Sequence, residues 1–231
     1  MTGGKLKIDV IMLATKEIED YAQYSSALWS MYCERQGYQF HRYVERIVPD
    51  MHVNWSKIEM VRRHLSNSEA DIVTLVDADT YVCNPDMSIT DMLERASPKT
   101  MVFSPDTNQT GWMEKPLNFR AALDNRTMRL PNAGFIIIEK SQFAQQFFDD
   151  WMDLARNELS HLADIHPRNQ LVLWKGLYFQ NRDKIALLNK EVRRLGTEGQ
   201  LNRAMKTGCD VVHFRGGMPQ ILAERLIEKF N

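Results

Sequence analysis

Two aspartates at the end of an apolar run are the residues of this 231-residue sequence that point most clearly to chemistry. Asp77 and Asp79 close the segment DIVTLVDAD (71–79), and a polar turn, TYVCNP (80–85), follows directly. Because side chains in a strand alternate between faces with period two, the two carboxylates are expected on one side of the chain. Carboxylates that close repel each other unless a cation or a proton lies between them. Mg²⁺ and Mn²⁺ favour carboxylate oxygens, so the segment indicates either a metal site or a solvated strand end.

Two kinds of metal-dependent enzyme carry such a strand end. Haloacid-dehalogenase-like phosphatases show a D-x-D-x-T pattern, but here Thr80 comes one place early and Tyr81 occupies the expected position. Those motifs also open their domain, whereas this one begins at residue 77. Glycosyltransferases of the GT-A fold instead carry a D-x-D in mid-chain, after a nucleotide-binding first half. The segment alone leaves both kinds of enzyme open.

The elements that must position these aspartates alternate along the chain. Helical spacing of apolar residues predicts helices around 21–31, 58–65, 143–154 (with Ser141 as N-cap) and 222–230. Alternation of strands and helices predicts an α/β fold, with a mostly parallel central sheet flanked by helices. In such sheets ligands bind beyond the carboxyl ends of the strands, where the aspartate pair lies. Apolar runs predict strands at 7–15, 38–45, 71–79, 100–106, 134–140 and 209–214.

Composition excludes several classes of function. The formal net charge of −1 gives no global basic surface, so a nucleic-acid partner is not expected. Three widely separated cysteines, Cys33, Cys83 and Cys209, indicate a reducing compartment without a disulfide framework. The apolar part of the N-terminal segment is too short to span a bilayer, so no transmembrane segment and a cytoplasmic location are expected. The amphipathic tail (219–230) is expected to pack on the core, with a homodimer contact or a peripheral membrane contact as alternatives.

Six motifs also follow one another in a recognisable order. They are GYQFHRY (37–43), NWSKIEMVRRHL (54–65), VDADTYVCNP (76–85), LPNAGFIIIEKSQFAQQFFDDW (130–151), HPRNQLVLW (166–174) and VVHFRGG (211–217). This succession resembles glycosyltransferase family 34, the galactosyl-, mannosyl- and xylosyltransferases, and more distantly the glycogenin-like family 8. The resemblance covers roughly residues 8 to 217. It implies a single GT-A domain over residues 1–231, with a nucleotide-binding half (about 7–106), an acceptor and sugar half (about 107–217) and a C-terminal helix (219–230).

The resemblance implies a metal-dependent, retaining glycosyltransferase. The donor would be a UDP-sugar carrying galactose, glucose or xylose, the acceptor a glycan or a lipid-linked saccharide, and the metal Mn²⁺ or Mg²⁺. Asp77, Asp79 and His213 would be its ligands, although a histidine satisfied within the core is the alternative for His213. Arg215 and the backbone of Gly216 would face the diphosphate, because arginine matches phosphate oxygens and glycine permits close approach. An ordinary turn is the alternative there.

Three amide side chains are implied to hold the transferred sugar. Asn132, together with the backbone of Gly134, lies in the NAG motif, for which a strand-initiating turn is the alternative. Asn169 and Gln170 stand where relatives commonly carry an acidic residue followed by Gln. If a carboxylate there normally stabilises positive charge on the sugar, this chain lacks it, which leaves open an inactive relative that only binds nucleotide or glycan. No nucleophile is assigned, since a same-face mechanism fits a site without an obvious base.

Further nucleotide contacts are expected around the aspartates. Thr15 ends the first predicted strand and leads into a loop. Lys57 and Arg62 lie on the helix that starts near Trp55, and either could contact ribose or phosphate, although a solvated helix face explains them equally well. Ala78, between the two aspartates, completes the expected cofactor-binding set.

The polar segment 107–131 is the expected acceptor region. A loop this long within a compact domain is usually functional or mobile. Asp106 and Trp112 are candidate acceptor contacts there, since tryptophan stacks well on sugar faces, although a tryptophan that anchors the loop is equally common.

Overall fold

The computed structural model describes residues 5–106, 129–188 and 191–230. The candidate acceptor contact Trp112 and most of the predicted acceptor segment lie outside the described residues. Nine strands occur in the described part of the chain: β1 (Ile8–Leu13), β2 (Gln39–Tyr43), β3 (Ile72–Asp77), β4 (Thr80–Val82), β5 (Met101–Asp106), β6 (Leu130–Glu139), β7 (Ile185–Leu187), β8 (Val192–Leu195) and β9 (Val211–Phe214).

Six of these strands form the central sheet, in the order β2-β1-β3-β6-β5-β7. All run in one direction except β6, which pairs antiparallel with both β3 and β5. The predicted α/β fold with a mostly parallel sheet flanked by helices is therefore confirmed. The register pairs Leu13 with Asp77, so the carboxyl ends of β1 and β3 meet at one edge of the sheet.

A second, three-stranded sheet has the order β4-β9-β8. The strand predicted at 209–214 belongs to this small sheet and not to the central one. Its antiparallel register sets Thr80 of β4 opposite His213 of β9. This pairing brings the chain near residue 213 back to the segment that follows Asp79.

Helices cover both faces of the central sheet, in chain order α1 (Glu19–Gln36), α2 (Val53–Asn67), α3 (Ile89–Ala96), α4 (Gln142–Arg156), α5 (Asn169–Val172), α6 (Glu198–Lys206) and α7 (Gln220–Ile227). Ser141 caps α4 as predicted, with its hydroxyl accepting a hydrogen bond from the Ala144 N–H. Apolar side chains of α1 and α7 pack on one face of the sheet, and those of α2, α4 and α5 pack on the other. The alternate buried positions of β1 and β3 contribute to both cores, which explains why most residues on both faces of these strands are apolar.

The tail helix α7 packs on the core through Leu222, Ala223 and Leu226, as its amphipathic pattern predicted. Among the helices of the described residues, none combines the length and apolar character that crossing a membrane requires.

Candidate functional site

Asp77, Asp79 and His213 converge at the carboxyl edge of the central sheet. Their candidate ligand atoms all lie within 4.8 Å of one another. Asp77 ends β3, but Asp79 lies in the turn between β3 and β4, not in an extended strand as the period-two argument assumed. The turn, together with the pairing of β4 with β9, brings the three side chains together.

Each carboxylate of the cluster has a positive neighbour. The Lys57 Nζ donates to Asp77 Oδ1 at 2.5 Å, and His213 Nε2 lies 3.0 Å from Asp79 Oδ1. The Gly216 N–H donates to the other oxygen of Asp79 at 3.3 Å. These partners offset the electrostatic repulsion between the two adjacent carboxylates.

The pKa values of Asp79 and His213 move in opposite directions. Burial of Asp79 favours its neutral form, but the charge and hydrogen bond of His213, with Lys57 and the Gly216 N–H, outweigh burial and lower the pKa of Asp79. Burial of His213 likewise favours its neutral form, but the carboxylates of Asp79 and Asp77 outweigh it and raise the pKa of His213. The described structure therefore holds an ionised Asp79 against a readily protonated His213.

The cluster fits a hard divalent cation. Two carboxylates and one imidazole offer oxygen-rich ligation of the kind that Mn²⁺ and Mg²⁺ accept, with room for phosphate oxygens of a substrate. The cation would replace the Lys57 ammonium at Asp77 and the proton of His213 at Asp79. Both replacements are feasible, because lysine has a long flexible side chain and histidine titrates near neutral pH.

Two glycines make room for this arrangement. A Cβ on Gly134 would lie 2.5 Å from Cε1 of His213, so the imidazole occupies the space that a side chain would need. Gly217 has φ of +92°, and a Cβ there would lie 2.3 Å from the Tyr21 ring. Sequence reasoning placed Gly134 beside the sugar; the structure sets it directly against His213.

A cavity of about 260 Å³ opens beside the cluster. Thr15, Lys57, Ala78 and both aspartates line it, as expected for the nucleotide site, and Tyr21 of α1 adds an aromatic wall that sequence reasoning did not single out. A larger cleft of about 860 Å³, lined by residues such as Leu93 and Lys140, lies elsewhere. We take the 260 Å³ cavity as the candidate site because Asp77 and Asp79 of the cluster line it.

Arg62 does not lie with the other expected nucleotide contacts. Its guanidinium pairs with Glu59 and with Asp149 of α4, beside a different cleft. Lys57 comes earlier on the same helix, on the turn that faces Asp77. The structure therefore places Lys57, and not Arg62, beside the aspartate pair, and a contact of Lys57 with the nucleotide stays a prediction.

A second group of polar side chains surrounds the buried carboxylate of Asp106. Its Oδ2 accepts hydrogen bonds from Gln170 Nε2 at 3.0 Å and from Asn132 Nδ2 at 3.3 Å, and Arg194 Nη1 lies 3.4 Å away. The amide oxygens of Asn132 and Gln170 accept from the N–H groups of Gly134 and Ala133, respectively. Two of the three predicted sugar-binding amides therefore belong to one network, which reaches Gly134 and hence His213.

Asn169 takes a more structural position. Its Oδ1 accepts from the Gln170 N–H at 2.9 Å, and its backbone carbonyl accepts from the indole of Trp151. The side chain is buried at the start of α5, so it orients Gln170 and does not reach the Asp106 carboxylate through any hydrogen bond of the described residues.

A cationic group beside the site was largely missed from the sequence. Arg168, Arg194 and the predicted Arg215 all lie near enough to His166 to lower its pKa, after burial, which is the largest cause. Arg168 lies within the HPRNQLVLW motif and could have been noticed there. Arg194 lies in β8, a four-residue strand whose pattern carries no signal.

The chain matches a family and several solved structures. The model of the family described as galactosyl transferase GMA12/MNN10 matches residues 10–220. Comparison with curated protein sequences gives no match.

Three solved glycosyltransferases share the fold. One, involved in the glycosylation of the major capsid of PBCV-1, is 12% identical over 97% of this chain and 98% of its own, with a TM-score of 0.67. The galactosyltransferase LgtC, in complex with donor and acceptor sugar analogs, is 13% identical over 96% and 95%, with a TM-score of 0.57. GlyE of Streptococcus pneumoniae TIGR4 is 11% identical over 98% of this chain and 60% of its own, also at 0.57. At these identities the likeness concerns the fold alone, which is of the GT-A type.

Proposed function

This chain belongs to the galactosyl transferase GMA12/MNN10 family, and from that premise we propose that it is a metal-dependent, retaining glycosyltransferase. It moves galactose, glucose or xylose from a UDP-sugar to a glycan or lipid-linked saccharide. The observation that carries this proposal is the convergence of Asp77, Asp79 and His213 beside the cavity at the carboxyl edge of the sheet. The family match favours this activity over that of a haloacid-dehalogenase-like phosphatase.

Asp77, Asp79 and His213 would hold Mn²⁺ or Mg²⁺. When bound, the ion stabilises the negative charge that grows on the leaving diphosphate. Lys57 borders the same cavity. Once released from Asp77, its ammonium can donate to a phosphate oxygen, and Arg215 can do the same from the turn after β9.

The Asp106 network is proposed to receive the sugar. Asn132 and Gln170 are buried and held at both ends of their amide groups, so they present fixed dipoles. The sugar carbon becomes oxocarbenium-like as the bond to the diphosphate breaks. A carboxylate nearby stabilises that positive charge, and Asp106 supplies one at 3.0 Å from Gln170 although position 169 is an asparagine.

The anomeric configuration of the sugar is retained because the acceptor attacks on the same face of the sugar from which the diphosphate leaves. The bond between the sugar carbon and the diphosphate oxygen breaks, and the acceptor hydroxyl oxygen bonds to that carbon from the same side. The leaving diphosphate accepts the hydroxyl proton. This route needs neither a protein nucleophile nor a separate general base, so none is assigned.

Calorimetric titration of UDP into the purified protein tests the proposal. We expect binding in the micromolar range with Mn²⁺ present and loss of that binding with EDTA. The variant Asp79→Asn should lose it as well, whereas Asp183→Asn, an exposed aspartate before β7, should bind as the wild type does.

The outcomes separate the alternatives. Absence of metal-dependent binding of both UDP and GDP would overturn the nucleotide-sugar assignment, and phosphate release from a generic phosphomonoester would then support the phosphatase. Binding without turnover over a panel of UDP-sugars and acceptors would support the inactive relative.

A further inference from the structure

A second cluster of metal-ligating side chains lies at the other end of the central sheet. Asp9 of β1 and His41 of β2 stand on one face, because the register pairs Asp9 with Gln39 and places His41 two residues further on. His64 of α2 covers the same face. Leu13 of β1 pairs with Asp77 of β3, and Asp9 lies four residues before Leu13 on the same strand. This cluster is therefore about 13 Å from the candidate active site along the strand.

We propose that Asp9, His41 and His64 form a second cation site, which takes Zn²⁺ and clamps α2 onto β1 and β2. The proposal is independent of the glycosyltransferase function, since it concerns another set of residues.

The distances between the candidate ligand atoms are close to those found between the ligand atoms of a zinc site. Asp9 Oδ2 lies 2.8 Å from His64 Nε2 and 3.4 Å from His41 Nε2, and the three ligand atoms lie within 4.8 Å of one another. In a tetrahedral zinc site with bonds near 2.0 Å, neighbouring ligand atoms are about 3.3 Å apart. Small side-chain movements would reach that geometry.

His64 carries the hydrogen bond that orients a ligating histidine. Its Nδ1 lies 2.8 Å from the Tyr43 hydroxyl, while its Nε2 faces Asp9. Without metal, the tyrosine hydroxyl can donate to Nδ1 while Nε2–H donates to the carboxylate. With metal on Nε2, the proton moves to Nδ1 and the same hydroxyl accepts it, so both states are satisfied.

His41 supplies the unsatisfied group. Its Nε2 atom is buried, yet it has no hydrogen-bond partner among the described residues. Buried polar side-chain atoms seldom lack a hydrogen-bond partner. A cation between His41, His64 and Asp9 would give this nitrogen a partner.

The ligand set distinguishes this site from the first one. Two imidazoles and one carboxylate suit Zn²⁺, whereas two carboxylates and one imidazole suit Mn²⁺ or Mg²⁺. Asp9 and His41 also line a cleft of about 520 Å³, which provides an entry path and leaves a fourth position open to water. Lys7 in the wall of the cleft is paired with Glu69 at 2.7 Å, which reduces its repulsion of a cation.

Titration of Zn²⁺ into the Asp79→Asn protein tests the second site with the first one disabled. We expect one Zn²⁺ per chain by calorimetry, and the visible spectrum of tetrahedral Co²⁺ when cobalt replaces zinc. His41→Ala in the same background should weaken the affinity by more than the roughly 10- to 100-fold that loss of an outer partner costs, and Tyr43→Phe should weaken it within that range. His161→Ala, which removes an exposed histidine outside the cluster, is the matched control.

His41→Ala removes a partly exposed side chain whose contacts are the 3.4 Å approach to Asp9 and the ring contact with His64, so this variant is expected to fold. Binding that it leaves unchanged, or no Zn²⁺ binding at all in the Asp79→Asn protein, would overturn the proposal and leave Asp9, His64 and Tyr43 as a purely structural network. Metal-dependent binding of UDP by the His41→Ala protein with an intact Asp79 reports separately on the proposed transferase function.

Discussion

The imidazole of His213 fits the candidate site because residue 134 has no side chain. A Cβ on Gly134 would lie 2.5 Å from Cε1 and 2.6 Å from Nδ1 of His213, and 2.8 Å from the Asn132 amide oxygen. The same residue therefore touches both the candidate cation ligands and the Asp106 network. The position of the His213 imidazole therefore requires that residue 134 lack even one side-chain carbon.

Gly134→Ala should displace His213 and weaken Mn²⁺-dependent binding of UDP. We expect an affinity loss of at least about tenfold, with a loss of about 1–3 kcal/mol in the free energy of unfolding from overpacking. Calorimetry and urea denaturation measure the two effects. Gly196→Ala is the matched control, since a Cβ there meets nothing within 4 Å. Equal UDP affinity in the two variants would show that His213 is not needed for binding.

Sequence reasoning identified the candidate site unevenly. Asp77 and Asp79 stand out because an apolar strand precedes them and a turn follows. His213 lies in an unremarkable apolar strand, and only the resemblance to a known family singled it out. The ion pair of Lys57 with Asp77 depends on how α2 packs on β3, which no local pattern encodes. Arg194 was missed for the same reason, since its place beside Asp106 depends on tertiary packing.

At the scale of elements, α1 fixes the segment that carries Asp79. The hydroxyl of Ser25 and the indole of Trp29 both donate to the backbone carbonyl of Thr80, the residue that follows Asp79. The Thr80 hydroxyl in turn donates to the Asp77 carbonyl at 2.6 Å. A buried helix face thus sets the backbone from which both carboxylates project.

Ser25→Ala should loosen this segment without removing any group from the site. We expect a loss of about 1 kcal/mol in the free energy of unfolding, the usual contribution of one neutral hydrogen bond. We also expect weaker Mn²⁺ binding, because the position of Asp79 becomes less fixed.

The neighbouring Ser26→Ala is its matched control. Ser26 is also buried on α1, but its hydroxyl faces the sulfur of Met12 at 3.4 Å and not the site. Urea denaturation and Mn²⁺ calorimetry on both variants make the comparison. If the two variants bind Mn²⁺ equally, α1 does not control the site.

Helices and strands could be predicted from the sequence where their burial gives a periodic or continuous pattern of apolar residues. The long apolar strands and α1, α2 and α4 were predicted because each buries a continuous or periodic set of side chains. The reversed direction of β6 could not be predicted, since an apolar run looks the same whichever way the strand runs. The short strands β4, β7 and β8 have too few residues to show a period in their apolar residues. The turn at Asp79 could not be predicted either, because it depends on the pairing of β4 with the distant strand β9.

At the scale of the whole molecule, the candidate site joins the two sheets. Asp79 lies two residues beyond the end of β3 in the central sheet, and His213 lies in β9 of the small sheet. Their ion pair and the hydrogen bond from the Phe214 N–H to the Asp79 carbonyl cross this junction. Stability of the whole chain without metal should therefore depend on the charges of this pair.

The pH dependence of that stability has a definite sign. The lowered pKa of Asp79 contributes stability that is present above the ordinary aspartate pKa of about 3.9 and is lost as the pH falls through the lowered value. The raised pKa of His213 contributes stability that is complete below the ordinary histidine pKa of about 6.5 and is lost as the pH rises through the raised value. The pair should stabilise the protein most between these limits.

His213→Gln, compared with the wild type in EDTA, isolates this contribution. We expect the difference in the free energy of unfolding to be largest near pH 5 to 6. It should then shrink toward alkaline pH by at most about 1.4 kcal/mol per pH unit. His52, His64 and His166 have lowered pKa values and oppose this trend, but they are common to both proteins and cancel in the difference. Urea denaturation over pH 5 to 9 makes the measurement. A difference that stays constant over this range would show that His213 does not carry its proton against Asp79, and that the two sheets are joined at this site by packing and backbone hydrogen bonds without a contribution from this ion pair.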